Sequence, residues 1–379
     1  MSEAVVSRRA RKRLMLTVAT CSSVIIALVI GAQLVANLIY DDARTEFAAR
    51  LSTLLNEQHS LNEARGATRE AVESTDSILA IAPNVLIADE SRQQLSTQLV
   101  QAQTSLATAD EAAGESPART NPKPFWPWEL YLASQSLATE SAHARLLAKA
   151  VAVSEEDLLA KNTALREDVL VALNAALEAV PGIEQQNVWA RTADVIALRA
   201  ASNALTASSS SLTIDTAQQF VALEAAVSAV QASAQDELAQ KAGWLYDSRL
   251  EVEAYARSIA GGVLLDFDWS HLVNGYGEGG SAGGTATWNA ASGGFATITL
   301  SDSVAEMWPS DVSRALVTHE VGHAISSKCW EMFDWENTAA NEEWATAWAL
   351  SRGEVADGNG VSLYGYPPQS LIDTASTCR

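Results

Sequence analysis

Cysteine is scarce in this chain, with three in 379 residues, and no Cys-x-x-Cys pair occurs. A disulfide-stapled scaffold is excluded on that ground, and zinc ligation by the thiols is the weaker rival to a disulfide. Basic residues are also few: 25 Lys and Arg stand against 46 Asp and Glu, a net charge of −21. The first 13 residues hold five of those basic groups and one of the acids, so the remainder is near −25. Such a surface excludes nucleic acid as a partner and favours neutral or basic ones. Glycine is almost missing from residues 41–258. Charge is missing altogether from Leu14 to Tyr40.

That uncharged run is 27 residues long, more than the roughly 20 needed to cross a bilayer. Arg8, Arg9, Arg11, Lys12 and Arg13 precede it. The pattern predicts a cytoplasmic basic tail over residues 1–13 and a single transmembrane anchor over 14–40, with the bulk of the chain extracytoplasmic. A cleaved signal peptide is the competing reading, but its apolar core spans only about 7–15 residues. The Ala-rich, Lys-poor composition suits a bacterial source, which makes the location a cell envelope. Cys21 falls inside the anchor, leaving Cys329 and Cys378 as an even pair where disulfides are permitted.

Residues 41–258 are rich in Ala, Ser, Leu, Gln and Glu, and predict long amphipathic helices in a stalk or bundle. Phe220, Leu223, Val227, Val230 and Ala234 follow coiled-coil spacing, with a slip near Leu238, and such a region offers a surface for self-association. Breaks are expected at Ala82-Pro83-Asn84, from Gly114 to Trp128, at Pro181-Gly182 and at Ser208–Ser211. Composition then changes. Seven of the eleven Trp lie beyond residue 258, among clustered glycines and short β-branched runs, so a separate domain is expected over 259–379. Its strands are Val263–Trp269, Thr285–Trp288 and Gly293–Leu300. Asn274–Gly280 has no Lys or helix placed to make a phosphate loop and is expected to lie over a cleft. His271 precedes it.

The richest local signal is His319-Glu320-Val321-Gly322-His323. Ser310 can cap a helix there, with Asp311 in its first turn. Four residues make little more than one turn, so both imidazoles share a face and can grip one ion, with Zn²⁺ the expected metal. Glu320 is offset from that face and is placed to act as the base toward an attacking water. A third ligand should come from the helix near Thr338–Leu350, where Glu342 and Glu343 are the contenders. Glu342 is preferred, because Ala345, Thr346 and Ala349 beside it leave a smooth surface for close helix approach.

These residues resemble the gluzincin-like zinc metallopeptidases, which carry His-Glu-x-x-His on one helix and Glu-x-x-Ala-x-x-aromatic-Ala on the next. Glu342, Ala345, Trp348 and Ala349 match the second frame. The resemblance covers roughly residues 285–352. It implies an α+β zincin-like domain following the helical region and anchor, with zinc on His319, His323 and Glu342, a peptide or protein substrate, and Glu320 as catalytic base. It also implies an edge strand just before the His helix that receives the substrate backbone, expected at Gly293–Leu300. Many relatives carry an Asp four residues after the ligand Glu that supports a zinc-bound His; Thr346 stands there in this chain. Tyr364 and Tyr366 are the candidates for a transition-state donor. A Cys329–Cys378 bridge would tie both tyrosines toward the site. A non-catalytic envelope scaffold, or a sensor carrying a degenerate or structural zincin domain, is the alternative.

Overall fold

A seven-residue apolar repeat organises the first part of the chain. In a computed structural model, which describes residues 3–82, 84–117 and 121–379 with side chains from Ser23 onward, Glu3–Leu79 form one helix, α1. The side chains of the basic cluster at 8–13 and of Cys21 lie outside the described residues. Tyr40, Phe47, Leu54, Leu61, Thr68 and Thr75 recur along α1 and are buried. Helix α2 (Asp89–Gly114) runs back along α1, and α3 (Pro127–Gln186) returns beside both. On α3, Leu130, Leu137, Ala144, Val151, Leu158 and Leu165 repeat the same interval. A strict heptad keeps its seam inward by left-handed supercoiling, so these helices carry the core repeat of a coiled coil within one chain. It comprises the residues through Ala82, Ala88–Ala172 and Ser211–Ala217.

Near its start, α1 is long and apolar enough to cross a membrane. Val24 to Leu38 expose most of their apolar side chains. The breaks expected at Ala82-Pro83-Asn84, from Gly114 to Trp128 and at Ser208–Ser211 fall in the connections after Leu79, after Gly114 and after Ser208. The break expected at Pro181 does not occur. Proline removes one helix hydrogen bond, yet α3 continues to Gln186.

The second unit comprises residues 83–87, 173–210 and 218–379. It therefore begins well before the boundary expected at 259. The physical reason is that α6 (Tyr246–Ile259) spends its apolar face here: Val252 and Ala256 sit in one core with the sheet. Before it come α4 (Thr192–Ser208) and α5 (Ile214–Gln240). The α5 stripe is buried from Phe220 to Ala234 and then continues through Glu237 and Lys241, which form a buried ion pair at 2.8 Å. The apparent slip at Leu238 is thus a polar continuation of the same seam. Arg191 pairs with Glu237 and, at 2.8 Å, with Asp268.

Three strands follow: β1 (Leu264–Ser270), β2 (Gly284–Asn289) and β3 (Phe295–Ser301). Their order is β1-β3-β2, with β3 parallel to β1 and antiparallel to β2. The strand next to the His helix in sequence, β3, is therefore central, and β2 is the edge. This corrects the expectation that Gly293–Leu300 forms the edge. A short helix α7 (Asp302–Glu306) leads into α8 (Asp311–Cys329), which crosses the sheet. Then come α9 (Thr338–Ser351), α10 (Val361–Tyr364) and α11 (Gln369–Ala375). The coarse layout is α+β, dominated by helix.

Candidate metal centre

Both helices that meet at the site are capped by their own sequence. Ser310 accepts a hydrogen bond from the Ser313 amide at the start of α8. Asn337 accepts from Ala339 and Ala340 at the start of α9. Helix α8 is more deeply buried than its amphipathic stripe suggests. Every residue from Val317 to Ser327 is buried, because the sheet, α6 and α9 cover it from different sides.

Helices α8 and α9 pack at backbone distance where Gly322 faces Ala345. That approach brings Glu342 over the two histidines. Its Oε2 lies 3.2 Å from His319 Nε2 and 3.2 Å from His323 Nε2. One donor atom from each residue falls within 4.8 Å of the others, a cluster that can hold a metal ion. Burial would raise the Glu342 carboxyl, but hydrogen bonds and charge from both histidines outweigh it and hold the group well below the ordinary carboxylate range. Glu343 does not join the cluster. Two imidazole nitrogens aimed at one carboxylate oxygen form an N,N,O donor set of the kind that suits zinc.

Glu320 stands beside this set and outside it. Its side chain is 3% exposed, and its Oε2 has no hydrogen-bond partner among the described residues. A buried carboxylate without a partner is costly, which marks a group kept for another purpose. Burial pushes its pKa up to about 7; the neighbouring His319 opposes the rise and Glu342 adds to it. Gly284 on β2 lies against the carboxylate, leaving no room there for a side chain.

On its other nitrogen His319 is held by the backbone. Its Nδ1 lies 3.2 Å from the Asn359 carbonyl oxygen, so Nδ1–H donates there and Nε2 is the nitrogen turned toward Glu342. Thr346, four residues after Glu342, donates its hydroxyl to the Glu342 carbonyl at 2.7 Å. Asn359 is buried and braced in turn: its Nδ2 donates to Glu354 O at 2.9 Å, and its Oδ1 accepts from the Val361 amide at 3.0 Å. Glu354 is itself held by Arg314 at 3.1 Å. Gly360, at a φ of 97°, lets this loop pass the imidazole. The available sequence signal was Asp357-Gly358-Asn359-Gly360, a turn composition whose partner only the fold reveals.

A cleft of about 370 Å³ opens over the cluster, lined by the β2 edge from Gly284 to Trp288, with His319, Glu320, His323, Glu342 and Tyr364. Tyr364 stacks on His319 with ring centroids 6.0 Å apart. Its phenol is pushed up to about 12 by burial, reinforced by the charge of Glu342 and a hydrogen bond to it. Tyr366 is exposed and does not line this cleft. Asn274 from the Gly-rich loop does line it, whereas His271 pairs with Glu278 at the surface, 2.9 Å away. Cys329 and Cys378 form a disulfide with Cα atoms 6.2 Å apart. The bridge fixes the tail beside Trp348, whose Nε1 donates to Cys378 O, and not over the cleft. No family model, curated protein or solved structure matches the chain.

Proposed function

We propose that this protein is a membrane-anchored zinc metallopeptidase with its hydrolytic unit on the extracytoplasmic side. The observation that carries the reading is the convergence of His319, His323 and Glu342 beside the buried, unpartnered carboxylate of Glu320. Zinc held by those three side chains would act as a Lewis acid, polarising the peptide carbonyl and lowering the pKa of water toward about 7. Glu320 takes the proton from the attacking water and passes it to the departing amine nitrogen. The free edge of β2 borders the cleft, and an extended peptide hydrogen-bonds along it as a further strand. Tyr364 donates a hydrogen bond from its phenol to the carbonyl oxygen as negative charge builds there, keeping its proton. A small sheet carrying an edge strand, a His helix and a Glu helix agrees with the gluzincin-like resemblance. The basic residues at 8–13, ahead of the uncharged run, support a cytoplasmic amino terminus.

The test pairs metal analysis with Glu320→Gln in the full chain. The expected result is one zinc per chain in both proteins and a loss of about 10²–10⁴-fold in peptide hydrolysis in the variant. Wild-type protein without bound divalent metal would refute the proposal. Wild-type protein that binds zinc but cleaves nothing in a diverse peptide library would belong instead to an envelope scaffold.

A further inference from the structure

The coiled-coil unit carries a second apolar feature at the level of the anchor. Leading into α3 the chain reads Pro122-Lys123-Pro124-Phe125-Trp126-Pro127-Trp128, with Tyr131 and Leu132 on the second turn of α3. Phe125, Trp126, Trp128, Tyr131 and Leu132 are between 50% and 74% exposed. Aromatic side chains of this size are rarely left in water without a reason. Trp126 and Trp128 stack on each other at 5.1 Å, and Phe125 meets Trp126 edge-on at 5.3 Å, so the cluster is ordered by its own contacts.

The height of this cluster along α1 is set by three contacts. Gln33 Nε2 donates to the Phe125 carbonyl at 2.8 Å. Leu130 is buried against Ala36 and Tyr40. Lys123 pairs with Asp41 at 2.6 Å and lies over the Tyr40 ring at 5.2 Å. The tip of the α2–α3 connection thus descends to Gln33, eight residues or about 12 Å below Asp41, where charge resumes on α1. At that level α1 exposes Leu34, Val35 and Leu38, so the two surfaces form one apolar belt. Glu129 is the one Asp, Glu, Lys, Arg or His from Phe125 to Ser134, and it sits at the helix N-terminus, where the dipole favours it. Trp and Tyr with a polar end and an apolar body favour the interfacial layer of a bilayer, while lysine directs its ammonium outward.

We infer that Phe125–Leu132 is a second membrane contact, an aromatic foot that seats in the lipid interface beside the transmembrane helix. The inference rests on the anchor reading of α1 and goes beyond the hydrolase proposal. Two points of attachment hold the coiled coil at a set tilt on the membrane, where a single spanning helix would let it swivel.

The test uses the full chain in vesicles of phosphatidylcholine and phosphatidylglycerol, with Cys21 replaced by Ser. An environment-sensitive dye is placed on Trp126→Cys, on Leu34→Cys within the anchor, and on Val153→Cys, an exposed position further along α3. The expected result is several-fold stronger quenching by lipids brominated near the headgroup at positions 126 and 34 than at 153, where aqueous iodide quenches instead. Quenching at 34 with position 126 open to iodide would overturn the foot while leaving the anchor. No lipid quenching at 34 would remove the anchor and the foot together. Concentration-dependent dye self-quenching at 126 without lipid quenching would assign the patch to a second copy of the chain and refute the inference.

Discussion

Gly322 on α8 lies against the backbone of Ala345 on α9: a side-chain carbon there would stand 2.9 Å from both the Ala345 Cα and its carbonyl oxygen. The fourth residue of His319–His323 is therefore also the point that sets the helix spacing. Gly322→Ala must push α9 outward, and Glu342, three residues from Ala345, moves with it. The expected cost is about 1–3 kcal/mol in thermal stability together with weakened zinc binding. Unfolding scans with and without zinc check this. Undiminished stability and affinity would show that the contact relaxes freely.

The His319–Asn359 contact makes a different demand. The accepting group is a backbone carbonyl, so the side chain of Asn359 acts by bracing the loop through Glu354 O and the Val361 amide. Asn359→Ala should lower metal affinity by about 10–100-fold while leaving helix content unchanged, as loss of support behind a ligating His generally does. Competition with a chromophoric chelator measures it. Wild-type affinity would mean the carbonyl holds its place unaided.

Tyr364 and Tyr366 separate cleanly. Tyr364 lines the cleft and stacks on His319, whereas Tyr366 points into solvent. Tyr364→Phe should reduce kcat by about 10²-fold or more with zinc content unchanged, the signature of a lost transition-state donor. Tyr366→Phe should match wild type. Equal activity in both variants would remove the donor role.

The convergence of His319, His323 and Glu342 was legible because helix geometry converts sequence spacing directly into direction: His319 and His323 had to share a face, and the small residues around Glu342 had to lie inward. The support for His319 was not legible, since it comes from a carbonyl 40 residues away, and a carbonyl has no side-chain identity to read. The edge strand was misassigned for a related reason. Nothing local in Phe295–Ser301 says that β1 pairs on its far side in parallel, which requires knowing the crossover. The heptads of α1 and α3 escaped notice because Thr68, Thr75 and Ala144 occupy core positions and dilute the apolar signal.

In the coiled-coil unit, Asp110 accepts from Arg65 and, at 2.9 Å, from Arg69, and the Arg65 hydrogen bond is the main cause of its lowered pKa. A carboxylate with a depressed folded pKa stabilises the fold fully above its unfolded value, and that contribution fades as the pH falls through the folded one. The melting temperature of Asp110→Asn should therefore lie below wild type at neutral pH, with the gap narrowing below about pH 4. The side chain is 43% exposed, so the whole effect is about 1 kcal/mol or less and is screened by salt. A gap that stays constant from pH 7 to pH 3 would assign the loss to something other than charge.

The Cys329–Cys378 bridge closes a sequence separation of 49 residues that includes all of α9 and the loop bracing His319. Loop entropy alone predicts that its removal lowers stability by up to about 4 kcal/mol. The bridge attaches α11 to the end of α8, with Ile372, Ala375 and Cys378 buried against Trp348, on the core side of α9 and away from the cleft. The Gly322–Ala345 contact continues to position Glu342 when the bridge is absent. A double Cys329→Ser, Cys378→Ser protein should thus melt well below wild type yet bind zinc at the same stoichiometry while folded. Calorimetry and metal analysis at low temperature measure the two quantities on one sample. Lost zinc with an unchanged melting temperature would reverse the assignment, making the bridge a brace for the ligands and not for the fold.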